Sequence, residues 1–172
     1  HAGVFKNNEL VSDSFSETIN YHKAITGKVD LNVLPHKAYN AGGEEALING
    51  INGSDQRYGD KEWLGFWGDD LEITINLGEL TTIKTFKSRF YNATGQWIYA
   101  PKKVSLYSSI DGKTYAPLKE VEIENDKSII DVYLDFNEIN TQFIKIVVPN
   151  YGIIPEGKQG AGNKAWTFID EI

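Results

Sequence analysis

The chain contains no cysteine and no methionine, only five prolines, and just two arginines, Arg57 and Arg89, among its 17 basic residues. The lack of cysteine excludes disulfides, thiolate metal sites and a cysteine nucleophile; at 172 residues a core can form without such staples. Twenty-four acidic residues outweigh the basic ones, for a net charge of -7. That balance, with only two guanidinium forks for phosphate or guanine, points away from nucleic acid as a partner. No apolar run approaches the roughly 18 residues a membrane-crossing helix needs, so a membrane is not an expected partner either. The chain opens His1-Ala2-Gly3 in strand-like sequence without an initiator methionine, which reads as a piece of something longer.

Period two dominates what is present. Leu71, Ile73, Ile75 and Leu77 alternate with Glu72, Thr74 and Asn76, as a strand does when one face covers a core and the other meets water. Ile130, Val132, Leu134 and Phe136 repeat the pattern, as do Ile144, Ile146 and Val148. Segments 83–90, 103–109, 114–123 and 166–172 complete the set of strands. Asp111-Gly112 and Asn92-Ala93-Thr94-Gly95 mark turns, since Gly112 adopts positive φ without a Cβ penalty. No stretch keeps helical period for three turns, and Glu44 to Ile48 makes one turn at most. The pattern predicts an all-β sandwich of about eight strands, a jelly roll or Greek key.

Residues 35–70 and 149–165 read as long structured loops, and such loops in a compact sandwich tend to carry function. Ala2 to Val11 reads as a hairpin turning at Asn7-Asn8, and Phe15 to Tyr21 as a further strand, with a polar join to Lys28. So short a β piece belongs to a sheet with more strands, so 1–28 is expected to be the end of an upstream β domain plus a linker, and 29–172 the functional unit.

The order of motifs from Val29 onward resembles the discoidin, or coagulation factor V/VIII type C, family, which bacterial carbohydrate-binding modules of the family 32 type also share. The residues are Ala46-Leu47-Ile48-Asn49-Gly50, the apolar strand Leu71 to Leu77 with Gly78, the hairpin Val104 to Gly112, Phe143-Ile144-Lys145-Ile146, and Trp166 to Ile172. Trp97-Ile98-Tyr99-Ala100-Pro101 and Ala165 to Ile172 are similar to modules at the C-terminus of bacterial chitobiases and β-N-acetylhexosaminidases. Asn49 stands where the family usually has Asp, and Lys145 where it usually has Arg. The resemblance implies a galactose-binding-domain-like jelly roll, with an Ig-like domain as the source of 1–28. It also implies a glycan partner, terminal galactose or N-acetylhexosamine, a linked upstream glycoside hydrolase, and a secreted, periplasmic or outer-surface monomer.

Sugar recognition needs an aromatic face for a patch of C–H groups and fixed polar groups for hydroxyls. Trp63, Trp67, Arg89, Tyr91, Asn92, Trp97 and Trp166 supply both types around three loops that converge at one end of a discoidin fold. The competing role for each tryptophan is packing, for Arg89 a surface ion pair, and for Asn92 a turn cap. Asn49, Asn52 and Asp55 offer hard oxygens in a Gly-rich loop, as a structural calcium ion requires, and the resemblance adds Glu171 as the closing ligand. Catalysis is not expected. Neighbouring acids on a strand, such as Asp170 and Glu171, point to opposite faces, and no nucleophile or phosphate-loop motif is present. The expected function is non-catalytic carbohydrate binding that targets a linked glycoside hydrolase. The alternative is a docking module that binds another protein or domain and no sugar.

Overall fold

The computed structural model describes residues 3–12, 18–40, 42–124 and 126–172. Nine strands lie among them: β1 Phe5–Lys6, β2 Glu9–Leu10, β3 Lys28–Leu31, β4 Leu64–Trp67, β5 Leu71–Tyr91, β6 Lys103–Ser109, β7 Ala116–Glu122, β8 Ile129–Val148 and β9 Trp166–Asp170. Among the described residues helical structure is confined to two short 3₁₀ segments, Glu44–Ile48 and Thr94–Gln96, and no helix is long and apolar enough to cross a membrane.

Seven strands form one antiparallel sheet in the order β4-β9-β5-β8-β6-β7, with β3 on β5. This sheet curls into a sandwich because its two longest strands bend over together. The first half of β5, Leu71 to Asn76, pairs with β3 and with Phe143–Val148 of β8. Its second half, Thr85 to Tyr91, pairs with Ile129–Asp135 of β8, and Arg89 to Tyr91 also pair with β9. Register shifts between Asn76 and Thr81 and between Ile83 and Thr85 mark the bend, where Gly78 takes φ 85°. The expectation of separate strands at 71–77 and 83–90 is thus corrected: the backbone stays paired around the corner. The inward residues of both halves, among them Ile73, Ile75, Phe86, Phe90, Val132 and Ile146, join one buried cluster. Burial of this kind contributes about 1.5–3 kcal/mol for each large aliphatic or aromatic side chain.

The hairpin expected at the start is present as β1 and β2, turning through Asn7 and Asn8, both at positive φ. Its Ala2 and the Phe15–Glu17 part of the expected third strand lie outside the described residues, while 18–21 carries no strand. From Asn20 the chain is tied to the sandwich: the Asn20 N–H donates to Gly50 O (2.7 Å), and Lys23 Nζ donates to Thr82 O. Residues 35–70 are not all loop, since they include β4 and the 3₁₀ turn.

Candidate functional site

Part of the outer face of β4, β9 and the end of β5 is covered. Segment 49–63 crosses it as a strap and closes a second, aromatic core of Trp63, Tyr91, Ile98 and Phe168, flanked by Tyr39, Tyr58 and Trp166. Trp63 is 0% exposed; its indole N–H donates to Ser54 O (3.0 Å), and its ring meets Tyr91 edge-on at 5.2 Å. Tyr91 is buried too, and burial, with Asp55, Tyr58 and Asp60 nearby, raises the pKa of its hydroxyl. Neither ring has a free face, so both tether the strap.

Arg89 holds the same strap by charge. Its guanidinium pairs with Asp55, donates to Asp170 Oδ2 (2.9 Å) and Gly53 O (3.3 Å), lies 3.6 Å from Asp131, and sits over Trp63 at 5.4 Å from the ring centre. Three of its N–H donors are thus spent on Gly53, Asp55 and Asp170. Asp170 is 0% exposed, and burial pushes its pKa up to about 7 against the pull of Arg89 and of the Gly53 N–H (2.6 Å). Its Oδ1 has no hydrogen-bond partner. Asn92 donates from its side chain to Lys127 O (2.9 Å) and from its backbone to Ser128 O (2.8 Å), which fixes the turn after β5 while its own Oδ1 stays unpartnered.

Trp67 and Trp166 are placed differently. Register pairs them across β4 and β9, both project from the outer face, and their rings stack at 5.9 Å with an 18° interplanar angle. Trp67 is 49% exposed, and its indole N–H donates to Lys164 O (3.2 Å). Trp166 is half-buried and meets His36 edge-on at 5.2 Å and Tyr39 at 5.4 Å. The outcome is an aromatic platform at the end of the sandwich where loops 32–40, 67–70, 92–98 and 149–165 gather. Trp97 joins the last two of these loops. It holds φ 63°, costly for a bulky residue, and its carbonyl accepts the Trp166 N–H (2.8 Å) while its ring lies against Gly160. It packs with Tyr99, Tyr151, Ile154 and Ala165, half-buried rather than presented to a ligand. Sequence reading passed over His36 and Tyr39 as platform residues. Pro35-His36 and Tyr39 carry no period, and only the fold brings them beside Trp166.

The four residues expected to hold calcium were tested by what their oxygens do. Asn49 Oδ1 accepts the Ile51 N–H (2.7 Å) and its amide donates to Glu62 Oε2 (2.7 Å); Asn52 Oδ1 accepts from Asn20 (3.3 Å); Asp55 pairs with Arg89. Glu171 Oε2 accepts the Gly50 N–H (2.8 Å), and its Oε1 lies 2.7 Å from His22 Nε2. Among the described residues no group of three or more His, Asp or Glu side chains is arranged to hold a metal. Three of the four residues spend side-chain oxygens on protein partners, and only Glu171 Oε1 among them is buried without a hydrogen-bond partner, so the set as placed does not offer the about six to eight oxygens a calcium ion takes.

Known structures share this architecture at low identity. A GH29 fucosidase of Ruminococcus gnavus in complex with fucose matches with TM-score 0.57 and 16% identity over 86% of this chain, which spans about a quarter (25%) of the fucosidase. A chitosan-binding module of a Paenibacillus chitosanase/glucanase matches with TM-score 0.53 and 11% identity over 87% of this chain and 97% of the module. A CBM32 module of Clostridium perfringens in complex with GalNAc-β-1,3-galactose matches with TM-score 0.50 and 17% identity, over 86% of this chain and 96% of the module. At these identities the likeness establishes the fold. No curated protein sequence matches the chain. The F5/8 type C domain model, however, matches residues 35–172, which takes in β4 to β9, the strap and the aromatic platform, and the chain therefore belongs to the F5/8 type C domain family.

Proposed function

We propose that this domain is a non-catalytic carbohydrate-binding module whose ligand lies on the Trp67–Trp166 platform. The observation that carries the proposal is the stacked pair itself: a half-exposed indole, fixed by its N–H bond to Lys164 O and backed by a second ring, next to the exposed imidazole of His36. Such a face suits the axial C–H patch of a pyranose, while exposed Asp69, Lys164 and Gln96 on the surrounding loops suit hydroxyls. Trp63, Tyr91 and Arg89 contribute indirectly, by tethering the strap beneath the platform. The sugar complexes among the structural neighbours support a glycan ligand, with terminal galactose or N-acetylhexosamine as the class. Because the fucosidase neighbour carries this fold within a much longer enzyme, the chain is proposed to act in the same tethered manner on a secreted or surface glycoside hydrolase of chitobiase or hexosaminidase type. Tethering raises effective ligand concentration and so makes a weak site useful. The apolar side chains Val4, Phe5, Leu10 and Val11, all exposed on or beside the β1–β2 hairpin, support reading the hairpin as the end of a preceding β domain, with the Asn20 bond to Gly50 O marking where the sandwich begins.

Exposed Ile153 beside the platform favours one second reading, in which the same patch docks a protein and binds no sugar. A glycan microarray probed with the domain separates the two. Binding to galactose- or N-acetylhexosamine-terminated glycans, lost in Trp67→Ala, supports the lectin reading; an array without signal removes it.

A further inference from the structure

The loop Asn49 to Ser54 turns its amide groups inward, toward carboxylates and side-chain oxygens. The Gly50 N–H donates to Glu171 Oε2 (2.8 Å), Ile51 to Asn49 Oδ1 (2.7 Å), Gly53 to Asp170 Oδ2 (2.6 Å) and Ser54 to Asp60 Oδ2 (2.5 Å). A calcium loop does the opposite. It aims carbonyl and carboxylate oxygens at a common point, about six to eight of them. Successive inward N–H groups make a partly positive concavity that suits acceptor oxygens, and here those belong to the protein's own Asp60, Asp170 and Glu171. The second oxygen of Glu171 lies 2.7 Å from the Nε2 of His22, off the line of a hydrogen bond, and neither atom has another hydrogen-bond partner among the described residues. His22 stands on a segment anchored on both sides: Asn20 bonds to Gly50 O and Asn52 Oδ1, and Lys23 Nζ bonds to Thr82 O. Glu171 is buried and the His22 side chain is 25% exposed, so the contact lies in a partly desolvated setting.

We infer that this sandwich fixes its 49–55 loop without calcium, through inward N–H groups on its own carboxyl oxygens, with the imidazole of His22 packed against Glu171 in the place where the family resemblance implies a cation. Asn49 agrees with this, since the family resemblance implies Asp at that position and an amide brings no charge to a divalent ion. The arrangement also joins the entering segment 20–23, the strap and the end of β9 at one point, so that removing His22 loosens all three.

Thermal unfolding of the chain, recorded after EDTA dialysis and again with millimolar CaCl2, tests this together with His22→Ala and His22→Gln. The expected result is one Tm in both buffers for the unsubstituted protein, a Tm lower by several degrees in both variants, and no recovery on adding calcium. Elemental analysis of the desalted protein is expected to find no stoichiometric calcium. A Tm that falls in EDTA and returns with CaCl2, or one calcium per chain, overturns metal independence; variants that unfold at the original Tm overturn the role of His22. Should neither variant fold, the EDTA and calcium arms on the unsubstituted protein decide the question alone.

Discussion

The substitution Asp170→Asn should change how stability depends on pH, and the structure sets both the sign and the size. Asp170 is fully buried on β9, and its pKa rises from 3.8 to about 7 because burial disfavours the charged carboxylate more than Arg89 and the Gly53 N–H favour it. A folded pKa above the unfolded one means that the native state binds the proton more tightly. This contribution to stability is therefore complete below about pH 4 and is lost as pH rises through about 7. The rise from 3.8 to about 7 corresponds to about 4 kcal/mol. The carboxamide introduced by Asp170→Asn would still accept the Gly53 N–H and the Arg89 bond, would put a donor where Oδ1 has no partner, and would not titrate. Urea unfolding followed by tryptophan fluorescence from pH 4.5 to 8 should thus give a difference curve, variant minus parent, that climbs by roughly 1.4 kcal/mol per pH unit at its steepest. A flat or falling difference curve would mean that Asp170 stays ionised throughout, and the desolvation argument would be wrong.

Other substitutions probe the strap and the loops. Trp63→Ala empties a site that is 0% exposed and removes the bond to Ser54 O, so thermal or urea unfolding should register a loss of about 3–5 kcal/mol. Gly160→Ala forces a Cβ into the Trp97 indole at φ +83°, and should cost about 1–3 kcal/mol in the same assay while shifting the Trp97 indole resonance. Trp67→Ala, at a half-exposed position, should leave Tm nearly unchanged; a large drop would mark Trp67 as a packing residue instead.

How far the sequence could be read depended on whether one side of a strand met water. β6 and the two halves of β5 and β8 alternate because one face is wet or only lightly covered. β4, Leu64-Gly65-Phe66-Trp67, is sandwiched between the core and the strap, so its first three residues are all buried and the contrast that signals a strand vanishes. The four residues of β3 are too few to establish a period. The same strap accounts for the mixed fate of the aromatic candidates. Trp63 and Tyr91 resemble loop aromatics in sequence but lie beneath a segment folded over an outer sheet face, which no local pattern announces. Trp67 and Trp166, far apart in the chain, face each other only through the β4–β9 register. His22 looked like part of a linker because Glu171, which it contacts, lies at the other end of the chain.

The measurement that bears most directly on the central claim is a chemical-shift titration of the tryptophan indole N–H groups with galactose, N-acetylgalactosamine, N-acetylglucosamine and chitobiose at millimolar concentration. Saturable shifts are expected at the indoles of Trp67 and Trp166 with at least one of these sugars. The buried indole of Trp63, bonded to Ser54 O, should stay in place as an internal control. Shifts confined to Trp63 or Trp97, or none at any tryptophan, would contradict the central claim and leave the platform as a docking surface.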